Sequence, residues 1–87
     1  MMRVLIPSQL QDYTRNETQV EAGGRTVGEI LNDLDRRFPG IRFRIIDEQD
    51  RIRRHLRIFV NEEQIHALET ALKPEDRLII LGALSGG

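Results

Sequence analysis

Hydrophobic residues alternate along some stretches of the chain and recur at helical spacing along one. The opening stretch "RVLIP" places Val4 and Ile6 on one face of a strand and Leu5 on the other. It stops at Pro7, which has no N–H to donate to a sheet ladder. "ETQVEA" predicts a second short strand, with the turn residues "TRN" before it and a glycine pair after it. Together the two stretches predict a β-hairpin.

The clearest predicted element is an amphipathic helix from Val27 to about Phe38. Its apolar residues form one stripe at helical spacing, namely Val27, Ile30, Leu31, Leu34 and Phe38. Thr26 and Glu29 have the spacing of a capping box at the start, and Pro39 ends the helix. A single helix of this kind must bury its one apolar face against another layer.

The second half of the chain predicts strands joined by irregular segments. Residues 41–55 lose the pattern and predict an irregular connection with a helical turn, in which "DEQDR" forms a turn. "LRIFVN" alternates, with Leu56, Ile58 and Val60 on one side and Arg57 and Phe59 on the other. A stub of strand at Gln64 and Ile65, one helical turn at "LETAL" and a β-turn around Pro74 precede "RLIIL", whose two apolar faces are typical of a central strand.

The resulting order is β-β-α-β-(β)-β, and one helix packed across a mixed sheet is the economical way to bury the helical stripe. We therefore predict an α+β fold of the β-grasp (ubiquitin-like) roll type. It has a mixed four- to five-stranded sheet with one main helix on one face. Right-handed crossover favours parallel first and last strands as neighbours. Residues 1–87 are expected to form a single domain that ends in a flexible tail, residues 83–87.

Composition narrows the classes of function. The 87 residues are 31% charged and 39% hydrophobic, with a net charge of -1, so no overall field favours nucleic acid or an anionic membrane as a partner. No apolar run approaches the roughly 20 residues that span a bilayer, and we expect a cytoplasmic protein. Cysteine is absent, which excludes disulfides, thiolate metal sites and a cysteine nucleophile.

Polar residues give no internal active site. His55 and His66 are too far apart in sequence to suggest a metal pair, and no metal site is expected. Eight arginines lie in the middle of the chain: Arg36, Arg37, Arg42, Arg44, Arg51, Arg53, Arg54 and Arg57. Such a stripe could bind RNA or an acidic partner surface, but interspersed acidic residues favour a solvated face.

The outward face of the predicted sheet carries its own apolar residues. If the alternation holds, Leu5, Phe59, Ile79 and Leu81 lie on the face away from the helix and form a contiguous patch. We interpret this patch as an enzyme-docking surface. The alternative is that the middle connection folds over it.

The β-grasp order, the Pro-Glu-Asp turn before an apolar final strand and the terminal "ALSGG" resemble the ubiquitin-like sulfur carrier family, which includes ThiS, MoaD and CysO. The resemblance covers essentially the whole chain. "IPSQL", "TVGEILNDL" and "RRHLRIFVN" are most similar to the MoaD and CysO branches.

The resemblance implies chemistry at Gly87 and no catalytic residue within the fold. In this family an E1-like adenylyltransferase/sulfurtransferase uses ATP to adenylate the terminal carboxylate and converts it to a thiocarboxylate. The resemblance also implies that Ala83, Leu84, Ser85 and Gly86 enter a channel in the partner. No cofactor is expected on the carrier. The sulfur acceptor would be a molybdopterin synthase large subunit or a cysteine-synthase-like enzyme.

The residues themselves agree with this chemistry. A terminal carboxylate is ionised at neutral pH, and glycine at positions 86 and 87 lets the backbone pass through a narrow slot. Chance or a cloning remnant could also leave two terminal glycines. A protein modifier joined to target lysines and a non-covalent β-grasp binding module are the alternative functions.

Overall fold

A five-stranded mixed sheet forms the centre of the fold in the computed structural model, which describes residues 1–83. The strands are β1 (Met2–Leu5), β2 (Gln19–Ala22), β3 (Leu56–Val60), β4 (Glu63–Ile65) and β5 (Arg77–Gly82), in the spatial order β2-β1-β5-β3-β4. Strands β1 and β5 are parallel, and the other neighbours are antiparallel. The predicted β-grasp topology is confirmed, with β5 in the middle of the sheet.

Two α-helices, α1 (Val27–Arg37) and α2 (Ile41–Ile45), accompany the sheet, together with a short 3₁₀ helix at Ser8–Leu10. Helix α1 begins at the predicted cap, where the Thr26 hydroxyl accepts a hydrogen bond from the Glu29 N–H at 3.2 Å. The Glu29 carboxylate reaches back to the Arg25 N–H at 2.8 Å, one residue before the position of an ordinary capping box. Side chains therefore satisfy the backbone N–H groups of Arg25 and Glu29 at the start of the helix.

The core lies between α1 and the inner face of the sheet. The helical residues Val27, Ile30, Leu31 and Leu34 are fully buried, and the strand residues Leu56, Ile58, Leu78 and Ile80 are at most 4% exposed. All of them belong to one apolar cluster, which Phe38 joins as a partly buried neighbour. The predicted assignment of inward-facing residues is confirmed.

The connection between α1 and β3 contributes its own residues to this core. Helix α2 is the predicted helical turn, and Ile41, Ile45 and Ile46 are completely buried. The turn that follows is closed by Asp47, whose Oδ1 accepts hydrogen bonds from the Gln49 N–H at 2.9 Å and the Arg51 N–H at 3.0 Å. These donors, with the Arg51 N–H bond the stronger, lower the pKa of the Asp47 carboxyl.

The helical turn predicted at "LETAL" is wrong. The Thr70 N–H donates to the Ala67 carbonyl at 3.1 Å in a single turn, and Ala71 then forms an isolated antiparallel bridge with Thr26. Pairing with the start of α1 satisfies the backbone of this segment, so a helix is not required. The predicted β-turn at Pro74 is confirmed by the Asp76 N–H bond to the Lys73 carbonyl at 3.0 Å.

Candidate functional site

The outer face of the sheet brings the predicted docking residues together. Leu5 lies beside Ile79 across the parallel pair, and Ile79 lies beside Phe59 across the antiparallel pair. These three side chains form a half-buried row over three strands. Leu81 follows two residues after Ile79 on the same face and is 46% exposed. We call these four residues the outer patch; its docking role stays a prediction.

The middle connection, residues 41–55, does not cover the outer patch with its isoleucines. Ile41, Ile45 and Ile46 are buried in the cluster under α1, on the inner face of the sheet. Phe43 of the same connection is 56% exposed. The apolar side chains of this connection are therefore not what partly covers the outer patch.

Strand β5 is fixed at its start by a polar network. The Asn61 side chain accepts a hydrogen bond from the Arg77 N–H at 3.0 Å and donates one to Asp76 at 2.8 Å. Asp76 also accepts from the Lys73 N–H at 2.8 Å, and these two bonds, with the Lys73 N–H bond the stronger, lower the pKa of its carboxyl. Because Asn61 directly follows β3, the network ties β3 to β5 before β5 runs toward the C-terminal segment.

At its other end β5 continues into a hydrogen-bonded exit. Gly82 pairs with Leu56, and the Ala83 N–H then donates to the His55 carbonyl at 2.7 Å. A Cβ at Gly82 would lie 2.5 Å from the side-chain amide of Gln9, so the Gln9 side chain packs against the strand where β5 ends. Of the predicted tail, Ala83 is thus held at the end of the central strand β5, and the predicted Leu84, Ser85, Gly86 and Gly87 lie outside the described residues.

Several of the middle arginines are paired with carboxylates of the chain itself. Asp33, buried at the inner side of α1, accepts hydrogen bonds from the Arg36 guanidinium, from Arg37 Nε at 2.9 Å and from the Gly23 N–H at 2.8 Å. The Arg36 bond, followed by the Gly23 N–H, holds the pKa of Asp33 far below its ordinary value despite burial. Arg42 and Arg51 also have carboxylates within 4.0 Å, those of Asp50 and Asp47.

The remaining arginines of the middle segment cluster next to the exit of β5. Arg53 lies with its guanidinium carbon 4.6 Å from the centre of the Phe43 ring, and its Nε donates to the Phe43 carbonyl at 2.7 Å. Arg44 Nε donates to the Tyr13 hydroxyl at 2.8 Å. The sequence stretch "RIRRHLR" signals this concentration of charge, but alternation alone does not place it beside the exit.

The histidines are single surface residues. His55 and His66 are both exposed. Within residues 1–83 the structure contains no group of three His, Cys, Asp or Glu side chains placed to hold a metal ion. In the same range no helix is long and apolar enough to cross a membrane.

The fold and its exit define a ubiquitin-like β-grasp protein, and comparison with known proteins gives the family. The ThiS family model matches residues 4–87, and the chain belongs to that family. It is 34% identical to the sulfur carrier protein CysO of Mycobacterium tuberculosis, over 97% of this chain and 96% of the relative.

Solved structures agree. A chain in the crystal structure of the Amycolatopsis orientalis BexX/CysO complex superposes with a TM-score of 0.91 at 38% identity, with 100% of both chains covered. SAMP1 from Haloferax volcanii superposes with a TM-score of 0.75 at 25% identity, covering 99% of this chain and 98% of SAMP1. The chain is thus a CysO-like sulfur carrier and not a catalyst.

Proposed function

We propose that Gly87 is the point of covalent chemistry and that the chain carries sulfur as a C-terminal thiocarboxylate. The observation that supports this most directly is the continuity of the central strand β5 with a terminal segment that the ThiS family model spans up to Gly87. A rigid central strand fixes where the segment starts, while glycine leaves its end accessible to a narrow site.

The proposed reaction has two steps, both on an E1-like partner that binds ATP. A carboxylate oxygen of Gly87 attacks the α-phosphorus of ATP, and pyrophosphate leaves. A sulfide-level donor then attacks the acyl carbon, AMP leaves with the anhydride oxygen, and the thiocarboxylate remains. The carrier supplies the nucleophilic carboxylate, and the partner supplies every catalytic group.

The CysO likeness favours cysteine biosynthesis as the destination, with a cysteine-synthase-like enzyme in the cytoplasm as the acceptor. Molybdopterin synthesis, with a synthase large subunit as the acceptor, is the other destination. In either pathway the outer patch would contact the partner while residues 83–87 enter its channel. A half-buried apolar row with an exposed leucine at its end suits such docking.

Intact mass of the protein purified from its own cells tests the proposal. We expect a fraction whose mass corresponds to exchange of one oxygen for sulfur, and we expect it to disappear on deletion of Gly86 and Gly87. Gly87→Ala should greatly slow thiocarboxylation without changing the unfolding temperature, because an added methyl group blocks the slot. Gly23→Ala is a matched control, since a Cβ there meets no atom closer than 3.9 Å.

A normal rate of thiocarboxylation in Gly87→Ala would contradict the threading argument.

A separate experiment identifies the pathway, in which the thiocarboxylated carrier is incubated with each acceptor enzyme in turn. Formation of the sulfur-containing product, cysteine or molybdopterin, by only one of the two enzymes decides between the pathways.

Conjugation to target proteins is the second candidate, favoured by the likeness to SAMP1 at 25% identity. The same activated terminus would form an isopeptide bond with a lysine and release AMP. Larger species that contain this chain and survive denaturation would support conjugation. If deletion of Gly86 and Gly87 left the biological activity intact, the protein would instead act as a non-covalent binding module.

A further inference from the structure

Four arginines next to the exit of β5 form no ion pair within residues 1–83. Within residues 1–83, no carboxylate lies within 4.0 Å of the guanidinium groups of Arg44, Arg53, Arg54 or Arg57. The other four middle arginines each have one. The unneutralised residues therefore stand out from the mixed charge of the whole chain. We call these four arginines the cationic rim.

Neutral groups hold three members of the cationic rim in place. Arg44 donates to the Tyr13 hydroxyl, and Arg53 donates to the Phe43 carbonyl and lies against the Phe43 ring. Arg57 donates from one terminal nitrogen to two backbone carbonyls, at 3.0 and 3.1 Å. These contacts orient the guanidinium groups but leave their positive charge uncompensated.

Two members of the cationic rim line an open groove of about 610 Å³. Arg44 and Arg53 line it together with Phe43 and His55, and Asp12 is its acidic residue. His55 also accepts the hydrogen bond of Ala83. The groove thus begins where the described part of the chain ends.

The reach of the chain places any partner close to this groove. The four residues after Ala83 extend at most about 14 Å. An enzyme that holds Gly87 in its active site must therefore cover the surface around Ala83 and His55. Arg57 is the cross-strand neighbour of Leu81, so the cationic rim is continuous with the outer patch.

We propose that the cationic rim binds an acidic segment of the protein that receives the C-terminal tail. The proposal rests on the proposed function, because that function requires a partner at this exit. Carboxylates fit the planar fork of arginine in bidentate pairs, and oriented guanidinium groups lose little freedom when they form them. Such charges at an interface raise the association rate and select the partner.

Nucleic acid fits the same surface less well. The chain has a net charge of -1, so its overall charge does not attract a long polyanion. Phe43 is the exposed ring available for stacking on a base, and Arg53 already lies on it. A short patch of four cations suits a few carboxylates better than a continuous phosphate backbone.

Titration of the full-length protein with hexaglutamate, followed by amide signals in NMR spectra, tests the proposal. We expect shifts at residues 43–44 and 53–57, and binding that weakens when NaCl is raised from about 50 to about 200 mM. Arg54→Glu should weaken binding about threefold, and Arg44→Gln with Arg53→Gln about tenfold. Arg25→Glu is the matched control, an exposed arginine outside the rim that should change affinity less than about twofold.

Two results would overturn the proposal. One is an equal loss of affinity in Arg54→Glu and Arg25→Glu, which would mean diffuse attraction to any arginine. The other is tighter binding of a six-residue uridine RNA to the same amides, which would assign the surface to nucleic acid. If the double Gln variant unfolds, Arg54→Glu alone decides, since its side chain makes no hydrogen bond within residues 1–83.

The test is independent of sulfur chemistry. A protein lacking Gly86 and Gly87 should bind hexaglutamate as the full chain does, although it cannot be thiocarboxylated. If the full-length protein is thiocarboxylated normally but does not bind hexaglutamate, only the proposal of an acidic partner segment is rejected. Normal binding without thiocarboxylation would reject the proposed function and leave the cationic surface.

Discussion

The Ala83 N–H lies 2.7 Å from the His55 carbonyl oxygen, at the point where strand β5 leaves the sheet. This bond joins the last described residue to residues 53–57, which carry three of the four arginines of the cationic rim. Leu81, two residues before Ala83 in β5, belongs to the outer patch and pairs with Arg57 of the cationic rim. The terminal segment therefore starts between an apolar surface and a cationic one, and a partner that receives it meets both.

Adjacent residues of β5 should differ sharply in their contribution to stability. Ile80 is 1% exposed and Leu81 is 46% exposed. Ile80→Ala should lower the free energy of unfolding by about 3 kcal/mol because it leaves a cavity in the core. Leu81→Ala should lower it by less than about 1 kcal/mol, as measured by urea denaturation. Equal losses would mean that the strand faces are assigned wrongly.

Asp33 should stabilise the junction of β2 and α1. Its carboxylate is buried and accepts hydrogen bonds from the Gly23 N–H and from Arg36 and Arg37. Asp33→Asn should reduce the free energy of unfolding by about 2 kcal/mol, since charged hydrogen bonds to a buried group are lost. Asp12→Asn, an exposed aspartate, is the control and should be nearly neutral in the same urea titration.

The same residue should give the protein acid sensitivity. The pKa of Asp33 is lowered in the folded state from an ordinary value of 3.8, so the unfolded chain takes up a proton first as the pH falls. The stabilisation is complete at pH values well above 3.8 and is lost as the pH falls below that value. The difference in stability between wild type and Asp33→Asn should therefore shrink on acidification. A constant difference would contradict the assigned charge state.

Gly40 should tolerate a side chain poorly. Its φ of 97° at the start of α2 lies in the left-handed region, and a Cβ there would lie 3.2 Å from Cε1 of Tyr13. Gly40→Ala should cost about 1 to 2 kcal/mol in thermal or urea unfolding. Gly23→Ala, whose Cβ makes only ordinary van der Waals contacts and which has no positive φ, should be neutral or slightly stabilising. A neutral Gly40→Ala would show that the turn can relax.

The outer patch should affect partner use without affecting folding. Leu81→Asp places a charge on an exposed leucine, so the unfolding temperature should change little. The apparent KM of the adenylating enzyme for the carrier should rise about tenfold, because an apolar contact is replaced by a charge. Ala67→Asp, at an exposed position in the segment that pairs with the start of α1, is the control and should leave KM unchanged. An unaltered KM for Leu81→Asp would place docking elsewhere.

Local patterns were sufficient for most elements of the fold. Period-two alternation identified β3, helical spacing identified α1, and the Thr26 cap fixed where that helix begins. The prediction for the segment "LETAL" was wrong because the backbone of this segment pairs with Thr26, a residue far away in sequence. A short segment takes the conformation that satisfies its hydrogen bonds, and its own sequence does not reveal a distant partner.

The candidate site divides along the same line. The outer patch followed from strand alternation, since side chains on successive residues point to opposite faces. The separation of the middle arginines into paired and unneutralised groups did not follow from sequence. Asp33 neutralises Arg36 and Arg37, which lie one turn further along α1. Arg53 and Arg44 instead donate to the neutral groups of Phe43 and Tyr13.

The sequence by itself determined most of the elements, the buried faces and the resemblance of the terminal residues to a sulfur carrier, because these depend on spacing along the chain. Only the tertiary structure decided that the exit of β5 lies beside His55, the cationic rim and the outer patch. That arrangement depends on the pairing of β5 with both β1 and β3. Such contacts join residues distant in sequence and leave no periodic trace in it.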